Sequence, residues 1–348
     1  MIDVDYIIIG IGIAGISFCE QLKANNKSFI VFDNNVQSAS MASSGLYNPI
    51  ILKRFTAPWR HEKQLQLAHT FYSKIERTLK ISFDHKKPIY RLFNSLEEQN
   101  NWFVASEKPL LSKFLSSNLI TDEYPFINAP FNFGEVLHTG HIDMKRLIAS
   151  YKSDLASKDI FFNTIFDYNA CDISDKNIYY NNIKAKHIVF AEGCGIKNNP
   201  YFNTLPLKPL KGETLTIYAP DLNINFILKS GIFFIPTSNN NYIVGATYER
   251  ENLNPSPSEK GREILLQKIK KTITCDFQII DQSAGLRPTV FDRKPLVGRH
   301  HKHKNMYLIN GLGSRGIMTG PYAAKQLYNY IEHDIDLERE IDVMRWRL

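Results

Sequence analysis

Tyr6-Ile7-Ile8-Ile9-Gly10-Ile11-Gly12-Ile13-Ala14-Gly15 decides how this chain is read. The first four residues form a continuous apolar run of the kind a strand buried on both faces carries. Gly10 and Gly12 break the run. From Ala14 to Ala24 the spacing turns helical, with Ile16, Cys19 and Leu22 on one side. Ser28-Phe29-Ile30-Val31-Phe32 is a second buried strand, and Asp33 ends it. A strand, a Gly-x-Gly-x-x-Gly turn, a helix and a second strand closed by an acid make up the dinucleotide fingerprint. The first glycine permits the tight turn, the second lets backbone amides approach a pyrophosphate, and the third lets helix and strand pack closely. Negative charge is favoured at the helix N-terminus by its free amides and dipole. Asp33, 18 positions after Gly15, is placed to accept hydrogen bonds from a ribose diol. The competing reading of the same glycines is a purely structural turn.

Beyond Asp33 the pattern changes. Ser38 to Gly45 is small and polar, either a loop where backbone can approach a ligand or a bland linker. Trp59 to Leu79 reads as a long amphipathic helix, and His141-Ile142-Asp143-Met144 as the opening of another, with Asp143 in its first turn. Short strands are expected around 160–162, 178–180 and 187–191. From Leu205 to Leu286 alternation dominates, predicting an antiparallel sheet interrupted by a helix over 259–271. The stretch 81–136 has no clear period. The last quarter returns to the opening grammar, with a strand at 306–309, a glycine turn, and a helix from Pro321 to Ile331. The fold class expected is α/β, a Rossmann-like nucleotide domain (1–80, 137–204 and 286–348) split by an antiparallel-sheet substrate domain (81–136 and 205–285).

Gly311-Leu312-Gly313-Ser314-Arg315-Gly316 is a second glycine match between a strand and a helix. Only 32 residues follow it, so it has no second strand or ribose acid and cannot be another nucleotide fold. It is either a structural turn or a loop that aims amides and a helix N-terminus at another part of the first cofactor. The second reading suits a flavin, whose reduced ring carries negative charge that fixed dipoles stabilise.

The 348 residues are 43% hydrophobic and 22% charged, which excludes general disorder. The formal charge of +7 is mild for this length; surface lysine accounts for it, and an anionic partner stays open. Cys19, Cys171, Cys194 and Cys275 lie far apart without Cys-x-x-Cys spacing, so neither a disulfide framework nor a thiolate zinc site is indicated. The start carries two acids and no basic region, and the longest apolar stretch, Tyr6 to Phe18, is too short to cross a membrane. A soluble cytoplasmic enzyme is expected. No Gly-x-Ser-x-Gly, Walker loop or His-Glu-x-x-His appears, which argues against common hydrolases and ATPases.

Taken in order, Gly10–Gly15, Ser40–Gly45, Gly140-His141-Ile142-Asp143, Val189-Phe190-Ala191-Glu192-Gly193, Gly285-Leu286-Arg287-Pro288, Asp292–Gly298 and Gly311–Gly316 resemble the FAD-dependent D-amino-acid oxidase superfamily, which includes glycine and sarcosine oxidases. The resemblance covers nearly the whole chain and is loosest over 81–136. Within it, Gly311–Gly316 looks most like the oxidase half of the bifunctional enzyme that matures 5-methylaminomethyl-2-thiouridine in tRNA. The resemblance implies a flavoenzyme that takes a hydride from a carbon next to an amine, the imine then hydrolysing and dioxygen usually reoxidising the flavin. It implies Gly10, Gly12 and Gly15 at the pyrophosphate and Asp33 at the adenosine ribose. Ser43, Ser44 and Gly45 would lie along the pyrophosphate and ring, Gly193 by the adenosine, and Gly313, Arg315 and Gly316 near the flavin pyrimidine. The FAD is expected to be non-covalent, because no histidine or cysteine is placed for attachment.

Arg287 is the expected anchor for a substrate carboxylate: Pro288 biases it toward extended backbone, and its fork of donors matches a carboxylate. Its alternative is an interdomain salt bridge. Where the amino-acid oxidases usually offer a tyrosine to that carboxylate, this chain has Phe233 and Phe234, leaving Tyr248 and Tyr47 as replacements or as ordinary packing. No metal site is expected, since His138 and His141 have no evident further ligand. His300-His301-Lys302-His303-Lys304 is a solvated turn or an RNA-phosphate contact, and Lys53, Arg54, Arg60 and His61 form a cluster of salt bridges or a ligand site. The partner expected is a small amine or amino acid, with tRNA as the alternative and oligomeric state undetermined. A non-catalytic FAD sensor, and a dehydrogenase passing electrons to another carrier, are the remaining alternatives.

Overall fold

Ile7 and Ile8 have no exposed surface, as expected of a strand with layers on both sides. In the computed structural model, which describes residues 1–34 and 38–346, they belong to β1 (Ile2–Ile9) at the centre of the first sheet. Parallel to it run β2 (Phe29–Asp33) on one side and β12 (Ile183–Phe190) on the other. Outward from these lie β9 (Phe161–Asn163) beside β2 and β19 (Met306–Asn310) beside β12, also parallel. The antiparallel β18 (Leu296–Arg299) closes one edge, and β10 (Cys171–Ile173) with β11 (Ile178–Tyr180) pairs with the start of β12. The order in which successive strands are added reverses between β1 and β12, the switch point where open α/β sheets bind ligands at their carboxyl ends.

Helix α1 (Ile13–Ala24) follows the glycine turn, and α6 (Gly316–His333) packs along it. A methyl group on Gly316 would lie 3.2 Å from Ile13 Cγ2 and one on Gly320 3.0 Å from Ser17 Oγ, so small residues set this close approach. The final helix was expected to begin at Pro321, yet it begins at Gly316 and carries that proline inside. Pro321 has no N–H for the carbonyl of Ile317; the Tyr72 hydroxyl donates to that oxygen instead, at 2.8 Å. Tyr72 lies on α2 (His61–Leu79), which starts two residues later than its periodicity suggests because Arg60 adopts a left-handed backbone.

The second sheet runs in the order β17 (Gln278–Val290), β13 (Leu207–Tyr218), β16 (Asn241–Gly245), β15 (Phe233–Pro236), β14 (Ile227–Lys229), β5 (Ile89–Leu92), β7 (Phe133–Val136) and β6 (Leu115–Ile120). Its first five strands are antiparallel, and β14 and β5 pair in parallel. Helix α5 (Glu259–Thr272) covers one face, burying Leu215, Leu228, Phe234 and Val244. The other face turns toward the first sheet: Ile89, Ile227 and Ile235 join the same core as Ile8, Ile13 and Tyr47. Helix α3 (Leu96–Ser106), capped by Ser95, covers the far strands through Trp102.

A small third sheet, β3 (Leu46–Tyr47), β8 (Gly140–Ile142) and β4 (Asp84–Lys86), corrects the reading of His141 and Ile142 as helix. Their backbone belongs to the central strand between two partners. The helix α4 (Met144–Ala156) starts only after Asp143, which is the N-cap: its carboxylate accepts the Arg146 amide at 3.0 Å. Among the described residues no helix is long and apolar enough to cross a membrane.

Candidate active site

The turn after β1 is held from three directions. The Gly10 amide donates to Phe32 O at 2.8 Å, and the Ala191 amide donates to Ile9 O at 2.7 Å. Gly10 has φ +97°, and a side chain there would meet the Ala191 carbonyl; a side chain on Gly15 would drive into the Gly10 carbonyl. Asp33 stands at the end of β2, where Oδ1 accepts the Ile11 amide at 3.3 Å and Oδ2 pairs with Lys152 of α4 at 2.5 Å. Each oxygen retains accepting capacity for a diol. Ser40 was missed as an individual residue. Its hydroxyl accepts the Ile13 amide at 3.1 Å and would lie 3.2 Å from a Cβ on Gly12, so it touches the N-terminus of α1 from the following loop.

That loop continues through Ser43, which is exposed and accepts the Gly45 amide at 3.0 Å, and half-buried Ser44. Gly45 is buried with its carbonyl bonded to the Ile142 amide at 3.0 Å, too tight for any side chain. Gly193 lies beyond the end of β12; its carbonyl accepts Asn310 Nδ2 at 2.9 Å, and a methyl group there would lie 4.0 Å from Pro288 Cγ.

Gly313 has φ +57°, and a methyl group there would lie 3.5 Å from Thr289 Cγ2 of β17. Arg315 reaches back to Asn48 O, which accepts from Nη2 at 2.6 Å, while Nε is buried with no partner among the described residues. Burial lowers its pKa to about 10, since no carboxylate stands by to offset the lost hydration. A buried, half-satisfied guanidinium of this kind calls for an acceptor. Gly316 is glycine for a different reason, its contact with Ile13.

Arg287 sits where the sheets meet. On β17, Gly285 packs under Ala42, and a methyl group on Gly193 would come nearest to Pro288 and one on Gly313 nearest to Thr289. The guanidinium lies across Gly212 of β13, where any side chain would collide with it. Nη1 donates to Thr247 O at 3.3 Å, and the group rests 4.9 Å from the ring centre of Tyr248. Burial pushes its pKa below the ordinary guanidinium value. No carboxylate among the described residues pairs with it, so the interdomain salt bridge has no acidic partner there. Tyr248 is 70% exposed, at the open edge of this junction. Tyr47 is not available: its hydroxyl donates to Asp84 at 2.9 Å in the third sheet.

The remaining candidates resolve into structure. His61 contacts Leu110 O at 3.2 Å and Arg60 pairs with Glu338 at 3.3 Å, whereas Lys53 and Arg54 are exposed. His300 Nδ1 accepts the amides of Lys302 and His303, shaping a turn between β18 and β19. His138 is exposed and His141 stacks on His85; among the described residues no cluster could hold a metal. The four cysteines are free.

The glycine cradle, the acid at the end of β2 and the unsatisfied Arg315 fit a dinucleotide laid from α1 toward the Gly313 loop. Comparisons with known proteins agree. A family model described as FAD dependent oxidoreductase matches residues 5–329. The tRNA 5-methylaminomethyl-2-thiouridine biosynthesis bifunctional protein of Idiomarina loihiensis is 27% identical over 178 residues, 47% of this chain and 29% of that protein. Glycine oxidase of Bacillus subtilis is 28% identical over 144 residues, 39% of this chain and 38% of that enzyme. The matches thus span well under half the length of these curated relatives. Among solved structures, glycine oxidase from Geobacillus kaustophilus superposes with a TM-score of 0.78 at 17% identity, covering 99% of this chain and 98% of that one. Iminodiacetate oxidase from Chelativorans gives 0.77 at 17% identity, with 97% and 98% covered. At such identity these structures establish the fold.

Proposed function

This chain belongs to the family of FAD-dependent oxidoreductases, and from that premise we propose that it oxidises the carbon beside the nitrogen of an amino-acid-like amine. The observation that carries the reading is Arg287, a desolvated guanidinium with no carboxylate partner among the described residues, set where β17 meets the Gly313 loop and Ala42. Bound there, FAD would supply the acceptor for the hydride of that carbon. The rest falls to the chain. Gly10, Gly12 and Gly15, with the amides of α1, hold the pyrophosphate, and Asp33 holds the ribose. Ser43, Ser44 and Gly45 line the path toward the ring, Gly193 flanks the adenosine, and Gly313, Arg315 and Gly316 flank the pyrimidine, all without a covalent link. Arg287 grips the substrate carboxylate with two donors, and the Tyr248 ring beneath keeps the fork in plane. With the carboxylate fixed, the neighbouring C–H is aimed and the reaction becomes effectively unimolecular. As the hydride leaves, the nitrogen lone pair becomes the second C–N bond of an imine. Water then adds to the imine carbon and the nitrogen departs, leaving a carbonyl.

A second reading, an amine borne on tRNA, is supported by the similarity to the bifunctional tRNA-biosynthesis protein and by the open edge beside Arg287. Tyr248 is exposed there, and Lys208 of β13 lies 5.4 Å from the exposed ring of Phe291, just beyond the end of β17. Exposed rings paired with cations suit unpaired bases.

Anaerobic titration of the FAD-loaded protein with glycine, sarcosine, D-proline and tRNA carrying carboxymethylaminomethyl-uridine tests both. Bleaching of the flavin by a free amino acid supports the first reading, and bleaching by the tRNA alone supports the second. Bleaching by none of them overturns both and leaves a sensor. Gly12→Val should abolish FAD uptake, because its side chain would enter the pyrophosphate's place beside Ser40.

A further inference from the structure

Helix α4 turns Leu147, Ile148, Tyr151 and Leu155 into the core. Lys152, next to Tyr151 and one turn after Ile148, sits at the border of that stripe, where a long side chain covers its stem and extends its head. Its Nζ lies 2.5 Å from Asp33 Oδ2 and 5.7 Å from the ring centre of Phe161 on β9, the strand beside β2. Both side chains of the pair are 20% exposed. Asp154 of the same helix is used differently. It binds Lys23 of α1 at 3.1 Å and Lys158, just past the helix end, at 2.6 Å, a clasp between helices. Lys152 instead meets the acid that ends β2, at the carboxyl end of the first sheet.

An ionised carboxylate has about four acceptor positions, two on each oxygen. On Asp33 the Ile11 amide, from the glycine turn, takes one on Oδ1 at 3.3 Å, and Lys152 takes one on Oδ2. No further donor reaches Asp33 among the described residues, so a position remains on each oxygen. Two acceptors side by side match the vicinal hydroxyls of a ribose. The donors already in place come from different elements, the turn after β1 and α4, and fix the carboxylate plane from both ends. Without the ammonium, a long amide contact alone opposes rotation about a terminal torsion that is intrinsically broad. Charge acts in the same direction. A bare carboxylate repels the pyrophosphate that the α1 amides receive, whereas an ion pair presents the same lone pairs with little net charge.

We propose that Lys152 is a cofactor-positioning residue, which turns the Asp33 carboxylate so that its two remaining lone pairs meet the adenosine ribose diol of FAD. This rests on the reading that Asp33 receives the ribose, and it extends the ribose site to a residue 119 positions away in the chain. Lys152 acts through the acid. Its contribution therefore vanishes when Asp33 is altered, and it shrinks when the ribose lacks a hydroxyl.

The test compares FAD with its 2′-deoxyadenosine analogue, each measured as dissociation from the loaded protein by flavin fluorescence. The wild type should hold FAD at least about tenfold more tightly than the analogue, the scale of one hydrogen bond to a charged group. Asp33→Asn should bring that ratio close to one. Lys152→Met should weaken FAD and lower the ratio by about threefold or more, the scale of a partly exposed ion pair. In the Asp33→Asn background the same lysine change should leave the ratio where it is. A lysine that only supports the fold would weaken both ligands alike and leave their ratio untouched. Methionine keeps the length and packing of the lysine stem, so the variant should unfold close to the wild-type midpoint. A wild-type ratio near one overturns the placement of the ribose at Asp33, and this inference with it. A large wild-type ratio that survives Lys152→Met, or tighter FAD binding in that variant, overturns the role of Lys152 and leaves Asp33 in place. Neither outcome depends on which amine is oxidised.

Discussion

One ribbon of the second sheet, β13 paired with β17, carries a buried cation, Lys211, and a half-buried one, Arg287, with opposite surroundings. On the face under α5, Lys211 is 1% and Glu213 2% exposed, and they pair at 3.0 Å. Glu213 also accepts from the Ser258 amide and hydroxyl and from Gln282 Nε2. On the face toward the first sheet, Arg287 has a carbonyl, a ring and, among the described residues, no acid. Charges buried for the fold are neutralised within the fold, because an unpaired ion in low dielectric costs several kcal/mol. Charges left without a counter-ion mark where the fold expects one from outside. The difference is visible only in three dimensions: Lys211 and Arg287 look alike as sequence.

The sharpest attack on that contrast is Glu213→Ala. It strands Lys211 beneath α5 and should cost about 3–5 kcal/mol of stability by urea unfolding. The loss should be regained in large part by Lys211→Met with Glu213→Leu, which removes both charges. If Glu213→Ala leaves the unfolding midpoint in place, the pairing does not hold the helix.

Arg287→Lys should behave in the opposite way. Stability should hold, while KM for a carboxylated amine rises by the equivalent of about 2–4 kcal/mol and an uncharged amine of similar shape is little affected. Equal losses toward both amines, with a lowered unfolding midpoint, would make Arg287 a structural residue after all.

Arg315→Ala extends the contrast to the other unpaired guanidinium. With FAD retained, the reduction potential should fall by roughly 30–60 mV, the equivalent of about 1.4–2.8 kcal/mol for a two-electron couple. An unchanged potential would move Arg315 out of reach of the ring.

The mildest effect concerns pH. Burial pushes the Glu213 carboxyl up, but hydrogen bonds from Ser258, Lys211 and Gln282 outweigh it, so its pKa lies below the ordinary glutamate value. A depressed folded pKa means stability that is present above the unfolded pKa and lost as pH falls through the folded one. Unfolding midpoints measured down the acid limb should therefore fall less steeply in Glu213→Gln than in the wild type.

Much of this architecture was legible because its signals are local. The run Ile7–Ile9, the glycines after it and Asp33 follow one another in a single βαβ unit, and each has a backbone reason to be what it is. Arg287 stands out in the sequence through Pro288 and its place at the end of an alternating stretch, and its role at a carboxylate stays a proposal. What the sequence hid depends on partners far along the chain. Pro321 reads as a helix start until Tyr72, 245 positions from Ile317, is seen to satisfy the carbonyl that the proline leaves open. His141 and Ile142 read as helix until β3 and β4 claim their backbone. Gly212 carried an unused signal, since a glycine inside a strand marks a close approach; here the approaching group is Arg287 itself.

Because β17 touches Ala42, Gly193 and Gly313 within five consecutive residues, Gly285 to Thr289, the reach from the cofactor loops to Arg287 is set by strand register alone. Side chains alternate with a period of two, so one residue inserted or deleted there would turn Arg287 to the side of Lys211 and Glu213. Length changes in this family member should therefore be tolerated in the turn at 291–295 and selected against in the four peptide links before Thr289. A drifting lineage could exchange the arginine for another residue in a single step, but it could not shift the strand by one without exchanging inside for outside along its whole length.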